Sequence, residues 1–460
     1  MISQTTAPHN PVPDISPSPA FYTAISWTLK EIRASIPAHC FHRSTARGFL
    51  YLFRDFFLAG TLFGLATTID PFFSTLREHR FLPALVMENF RWLAWCCYWW
   101  FQGLVFTGIW VIGHECGHGA FSPHKTLNNT IGFILHSLLW TPYFRRIFWK
   151  ISHHRHHISH ASMERDEVYV PKTRSDLGIP SADAATHNNY EEILGDTPIF
   201  TMFALVRQQV LAFPAYLLFN TSGQKHYPRW TNHFMPNSIL FTKAQRRAVI
   251  ISNIGLITMA FGVGKAVRIF GASQIVKYYG VPWLAVTHWF VMITYLHHTD
   301  QTIPHFRKKT WNFQRGATAT VDRDFLGWQG TFFLHSVARY HVIHHFFPKI
   351  PFYHAEEATM ALKGFIGKHY MFSAKPVFRA LWDNYNSCQF VEDEGEILFY
   401  RDRRGKSVYQ CMATTECELV GAVETTKKLT SAAASYLSPH STSTGFAGTG
   451  EDCGGKACAV

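Results

Sequence analysis

The stretch WLAWCCYWWFQGLVFTGIWVIG, residues 92–113, runs without a break into HECGH, residues 114–118. The first part carries no charge, and its 22 residues make a helix of roughly 33 Å, enough to cross a hydrocarbon core of roughly 30 Å. The second part sets His114 and His118 four residues apart, on one helix face. The reading that follows is a membrane helix whose end presents a pair of imidazoles.

Two more clusters repeat the pattern, His153-His154-Arg155-His156-His157 and His341-Val342-Ile343-His344-His345. Residues at i, i+3 and i+4 share an arc of roughly 100°, so each cluster can aim two or three nitrogens at one point. Neutral imidazole is a good ligand for iron, zinc and copper. One such histidine is ordinarily a satisfied polar residue. Three clusters beside apolar, aromatic-rich segments imply a multinuclear metal site at a membrane surface. Cys116 points off the His114–His118 face and reads as packing. His136, His335 and His354 lack ligand spacing and read as ordinary core or surface residues.

Composition agrees with a membrane setting. Of 460 residues, 47% are hydrophobic and 16% aromatic, including 14 tryptophans of the kind that gather at membrane interfaces. A mean hydropathy of −0.03 still requires a large part of the chain to lie in water. The net charge of +12 suits anionic lipid and an acidic redox partner, while no basic run with stacking aromatics points to nucleic acid. Nine scattered cysteines without a CxxC pair argue against a disulfide framework. The amino-terminal twenty residues are polar and rich in Pro and Ser, with no signal-peptide pattern, so the amino terminus is expected in the cytosol.

Along the chain, residues 1–48 are expected to form a partly disordered cytosolic segment, 49–298 a membrane region with the first two clusters, 299–409 a cytosolic cap with the third, and 410–460 a disordered tail. Apolar stretches at 49–70, 92–113, 248–267 and 281–298 predict four transmembrane helices as two hairpins, the second turning at Lys277–Pro282. Two weaker stretches, 131–144 and 198–219, pose a topological problem. All three clusters must meet on one side of the bilayer, so the chain crosses an even number of times between them. These two stretches are therefore expected to lie in the interface or to dip and return. Lys125, Arg145, Arg146, Lys150, Arg155, Arg165, Lys172 and Arg174 surround the clusters, which places the site in the cytosol by the positive-inside rule. The fold class is thus an all-α integral membrane protein with interfacial helices and a histidine-rich cytosolic cap.

The chain resembles the membrane-bound fatty acyl desaturases of the oleate (Δ12) type, fungal branch, over roughly residues 85–400. The strings that carry the resemblance are Gly113-His-Glu-Cys-Gly-His-Gly-Ala-Phe-Ser122, Trp149-Lys-Ile-Ser-His153, Glu164-Arg-Asp-Glu-Val-Tyr-Val-Pro171 and Arg315-Gly-Ala-Thr-Ala-Thr-Val-Asp-Arg-Asp324. The resemblance implies two irons held by nine histidines. The clusters supply eight: His114, His118, His153, His156, His157, His341, His344 and His345. His298, at the end of the 281–298 stretch, matches the family's extra position and would be the ninth. His297 faces elsewhere, and His154 reads as a surface or supporting residue. Glu115, Asp166 and Asp324 are candidates to accept an imidazole N–H behind the metal, although a solvated loop salt bridge is the competing reading for both aspartates.

The implied chemistry is O2-dependent removal of two hydrogens from a fatty acyl chain carried on phospholipid or coenzyme A. No flavin, nicotinamide or haem motif is present, so the resemblance assigns the electrons to cytochrome b5 and its NADH-dependent reductase in the endoplasmic reticulum membrane. Regiochemistry is less legible. Gly113 stands where many oleate enzymes carry Ala, and Tyr340 precedes the third cluster where they carry other residues, so both are candidates to steer the chain. Action on oleate at Δ12 competes with action on linoleate (ω3, Δ14-type, conjugating or acetylenic). A sterol or carotenoid hydroxylase and a metal transporter are the rivals from other classes.

Overall fold

The computed structural model describes residues 20–79, 83–142, 152–180 and 197–410. Of the segments expected to lack structure, 1–19 and 411–460 lie outside these, as do Arg145, Arg146 and Lys150. The described residues are mostly helical. A short α1 (Leu29–Ala34), capped by Thr28 and Glu31, leads to α2 (Thr45–Thr67), whose first turn is capped by the Ser44 hydroxyl. Then come α3 (Ile69–Glu78), the 35-residue α4 (Ala84–His118), α5 (Lys125–Leu138) and α6 (His154–Ser159). Further on are α7 (Pro198–Phe219), α8 (Arg246–Phe270) and α9 (Val281–His298). The cap contributes α10 (His341–Phe346), α11 (Ala355–Ile366) and α12 (Val377–Ser387).

The two expected hairpins are α2 with α4, and α8 with α9. At the end away from the histidines an ion network joins them: Asp70 pairs with Arg91 at 2.7 Å and with Lys277 at 2.7 Å. Trp95, Tyr98, Trp99 and Tyr278 cluster beside it, as aromatics do at a membrane interface. Nineteen residues separate Trp95 from His114, a rise of roughly 29 Å, close to one hydrocarbon thickness. Tyr98 and Trp99 donate to the carbonyls of Tyr278 and Lys277, so α9 starts beside the middle of α4 and runs parallel to it. Contact is close because Gly103 lacks a side chain; a Cβ there would sit 2.5 Å from that of Ala285. Both helices therefore deliver their carboxyl ends, His114–His118 and His298, to the same level.

Among the described residues, the stretches long and apolar enough to cross a membrane are Thr45–Glu78, Ala84–His118, Pro198–Phe219 and Lys243–Phe270. Two details differ from the sequence reading. The expected fourth span, α9, is not on that roll, because His288, His297 and His298 dilute its apolar character; it lies largely inside the protein, against α4. α7, expected at the interface, is one continuous 22-residue helix with a span's composition. Its first turn nevertheless touches the cap, and the chain past its last turn touches the loop after α6. Thr201 bonds to Asn386 at 3.1 Å and to Arg403 at 2.9 Å, while just past the other end Gln224 donates to the Asp166 carbonyl at 2.7 Å. α7 is thus tied to the protein at both ends, with Ile199, Phe203 and Val206 turned outward. α5 has 14 residues, roughly 21 Å, too short to cross.

Three short strand pairs tie the cap together: Ala20–Phe21 with Tyr409–Gln410, His305–Phe306 with Ile397–Leu398, and Val321–Arg323 with Met371–Ser373. The last pair matters most for the site. Arg323, buried, donates to the Leu296 carbonyl at 2.8 Å and pairs with Asp300 at 2.8 Å, satisfying the end of α9. Its neighbour Asp322 accepts the Val342 N–H at 2.7 Å and the Tyr370 hydroxyl at 2.6 Å, anchoring the start of α10. One strand therefore positions both His298 and the third cluster.

Candidate metal centre

Each histidine cluster arrives on a helix end or a short helix. Gly119 takes the left-handed φ of 78°, which ends α4 one residue after His118. His153 leads into α6, which carries His156 and His157; His341, His344 and His345 lie on α10. All nine sequence-predicted histidines meet at one place.

In the first group, Nε2 atoms form a continuous series. His344 lies 3.0 Å from His114, His114 3.2 Å from His118, His118 3.1 Å from His153, and His153 2.9 Å from His157. Hydrogen bonding alone does not account for this. A ring nitrogen has one hydrogen or one lone pair, so it serves one partner, yet three of these atoms each face two. A metal does account for it. Two nitrogens at right angles, each about 2.1 Å from one ion, stand about 3.0 Å apart.

The second group holds His156, His298 and His345, with 3.3 Å between the Nε2 atoms of His156 and His298. Both nitrogens of His345 are buried without a hydrogen-bond partner, a costly state that a metal would relieve. The His341 ring lies 5.2 Å from that of His298 and 4.9 Å from that of His345, and its Nδ1–H reaches the Val337 carbonyl at 3.2 Å. His157 stacks on His345 at 4.3 Å and links the two groups. Burial, reinforced by the neighbouring imidazoles, holds His153, His157, His341 and His345 well below the usual imidazole value. They are neutral, with lone pairs available.

The supporting acids divide. Asp166 is fully buried and accepts from His156 Nδ1 at 2.9 Å, which leaves Nε2 to face His298. Burial opposes its charge, but His156 and His160 outweigh that and hold the carboxyl well below the usual range. Glu115, also buried, stands 3.5 Å from His344 Nδ1. Asp324 takes the salt-bridge reading: it pairs with Arg339 at 2.8 Å near the surface. The acid that organises this segment is Asp322, two residues earlier, whose carboxyl burial pushes up to about 7.

His160 was missed. It is buried with its ring 4.8 Å from His156 and 4.3 Å from His298, and its nitrogens face Asp166 and the Ala319 carbonyl. Its place four residues after His156 was the available signal. His154 is exposed, and His297 sets its two nitrogens against the carbonyls of Ile293 and Ala338, one of which accepts its N–H. His335 bonds to Asp55 at 2.7 Å and ties α2 to the cap. Gly113 is explained by His136: a Cβ would come 2.8 Å from that ring's Nε2. Tyr340 is partly buried against the cap cluster that includes Val342 and Phe346.

A family model described as fatty acid desaturase matches residues 90–374. The chain belongs to the fatty acid desaturase family. It is similar to the Δ12 fatty acid desaturase of Mortierella isabellina, 43% identical over 408 residues, which cover 87% of this chain and 96% of that one. The Mortierella alpina Δ12 desaturase is 44% identical over 394 residues, covering 84% and 94%. An oleate hydroxylase from Claviceps purpurea is 38% identical over 410 residues, covering 83% and 82%. As a fatty acid desaturase the chain is a membrane di-iron oxidoreductase acting on fatty acyl lipid, and the two histidine groups fit a two-iron site.

Proposed function

We propose that this desaturase removes two hydrogens at Δ12 of an oleoyl chain in membrane lipid, giving linoleoyl lipid and two waters from O2, two electrons and two protons. The observation that carries the site assignment is the run of Nε2 atoms spaced 2.9–3.2 Å from His344 to His157. His114, His118, His153, His157 and His344 hold one iron in this reading, and His156, His298, His341 and His345 the other. Bound there, the irons supply the oxidant, made from O2, that an unactivated methylene requires. The protein's part is placement and exclusion of water. Asp166 fixes the tautomer of His156; Arg323 and Asp322 hold the ends of α9 and α10. Cytochrome b5 with its NADH-dependent reductase delivers the electrons at the endoplasmic reticulum, and the site faces the cytosol.

A groove of about 920 Å³ lies between α7 and the cap. Tyr169, Tyr295, Tyr385 and Tyr400 line it, with Lys172 and Arg207 on its walls. Tyr295 is three residues before His298, so the groove wall and a proposed ligand lie on the same helix.

The test is the fatty-acid profile of a yeast that makes oleate but no polyunsaturates, with and without this chain. Linoleate is the expected new product. The hydroxylase among the relatives favours one second reading, in which the same hydrogen abstraction ends in an alcohol; hydroxylated oleate would establish it. A product only after feeding linoleate would establish action on the doubly unsaturated chain.

A further inference from the structure

Four potential ligands outside the histidine clusters meet where the amino-terminal segment joins the cap. Ala38–Phe41 form one tight turn that presents His39 and Cys40. Opposite stand His354, ending the turn Phe352–His354, and Glu357 in the first turn of α11. His39 Nε2 is 2.8 Å from Glu357 Oε2, and Cys40 Sγ is 3.8 Å from His39 Nε2. The two imidazole rings are 5.8 Å apart. One donor atom from each of the four lies within 4.8 Å of the other three.

We infer that His39, Cys40, His354 and Glu357 form a binding site for a single zinc ion that clips the amino-terminal segment to α11. The donor set decides the metal. One sulfur, two imidazole nitrogens and one carboxylate suit zinc, whereas calcium and magnesium need shells of oxygen. Thiolate and carboxylate together balance a doubly charged cation. Tetrahedral zinc donors stand roughly 3.3–3.6 Å apart, so the observed spacings need only small shifts. The residues that must shift are free to do so, since the His39 and Glu357 side chains are 56% and 52% exposed. Cys40 is fixed, buried in the same core as Ile36, Ala355 and Ala358.

The bland account is an exposed His39–Glu357 ion pair, worth little. It does not explain why a buried thiol and a second imidazole converge on that pair. Burial, with Glu357 beside it, pushes the Cys40 thiol up to about 11, so the metal-free thiol keeps its proton and zinc binding releases it to solvent. The consequence reaches the catalytic cap. His354 lies nine residues after His345, and α11 packs on α10 through Val342, Phe346 and Leu362. Zinc would therefore brace the helix that carries the third cluster.

The experiment uses the full-length, iron-loaded protein in detergent, given zinc and then washed with a weak chelator. Zinc and iron are counted together by plasma mass spectrometry. About one zinc per chain is expected beyond the iron. Cys40→Ser and His354→Ala should each lose the zinc and keep the iron. His354→Ala tests the site without opening the core around Cys40. Cobalt in place of zinc should give a thiolate-to-cobalt absorption band that Cys40→Ser abolishes. No retained zinc in the unmodified protein, or zinc retained equally by both variants, overturns the inference. The iron count in the same samples reports separately on the desaturase site.

Discussion

Asp166→Asn changes almost no volume and should still remove much of the second iron. The carboxylate accepts from His156 Nδ1 at 2.9 Å and from the backbone N–H groups of Val168 and Tyr169 at 2.9 and 3.3 Å. An asparagine carbonyl can keep the backbone contacts. It also stays 2.9 Å from His156 Nδ1, but the NH2 group takes the Oδ2 position, 3.0 Å from His156 Nδ1 and 3.4 Å from His160 Nδ1, so an acceptor becomes a donor in a site with no solvent exposure. With a neutral carbonyl in place of the carboxylate and a donor beside it, the His156 proton is held less firmly on Nδ1 and shifts toward Nε2, the atom 3.3 Å from His298 Nε2. That removes the lone pair needed for iron. Loss of such a supporting carboxylate costs about 10–100-fold in metal affinity, or about 1.4–2.7 kcal/mol. If His156 keeps its tautomer instead, an unsatisfied buried donor costs about 1–3 kcal/mol of stability. The assay is iron per chain after purification, with a thermal melt on the same sample. Iron should fall from about two toward about one per chain. An Asp166→Asn protein that holds two irons, melts normally and turns over at the parental rate would refute the reasoning.

Replacing His344 or His298 with Ala should abolish turnover while membrane insertion, read by fractionation, stays intact; full activity in His298→Ala removes it from the ligand set. Gly113→Ala drives a methyl against the His136 ring, and such overpacking costs about 1–3 kcal/mol. A lower melting temperature and an altered product ratio are expected, because His114 is the next residue; parental behaviour in both would show that His136 yields freely. Tyr340→Thr removes a ring from the cap core, so stability should fall while the product profile holds. A changed profile at unchanged stability would instead place Tyr340 on the acyl path.

Much of the site was legible because ligand spacing is a local property. His114 with His118, and His341 with His344 and His345, share helix faces whatever the rest of the chain does. The requirement that the three clusters meet set the parity of crossings, and α7, whose composition equals a span's, is held by the cap at its first turn and by the Asp166 loop past its last. α9 shows the opposite case. Its histidines weaken the apolar signal, and it is stable in the bundle because α4 rather than lipid covers it.

The acids and the stray histidines were not legible in the same way. Asp166 and Asp324 looked equivalent, each a loop aspartate near a charged string, but one is buried against His156 and the other pairs with Arg339 near the surface. Asp322 and Arg323 gained their roles from a strand register with Met371–Ser373, fifty residues away. His354 reads as an ordinary residue from its spacing, and only folding sets it opposite His39 and Cys40. The sequence by itself determined that long apolar helices carry the site, the three imidazole clusters and the family's chemistry, because periodicity and hydrophobicity act between near neighbours. Only the tertiary structure decided which acid supports which imidazole and which helix lipid touches, because those depend on long-range contacts that residue spacing along a chain does not encode.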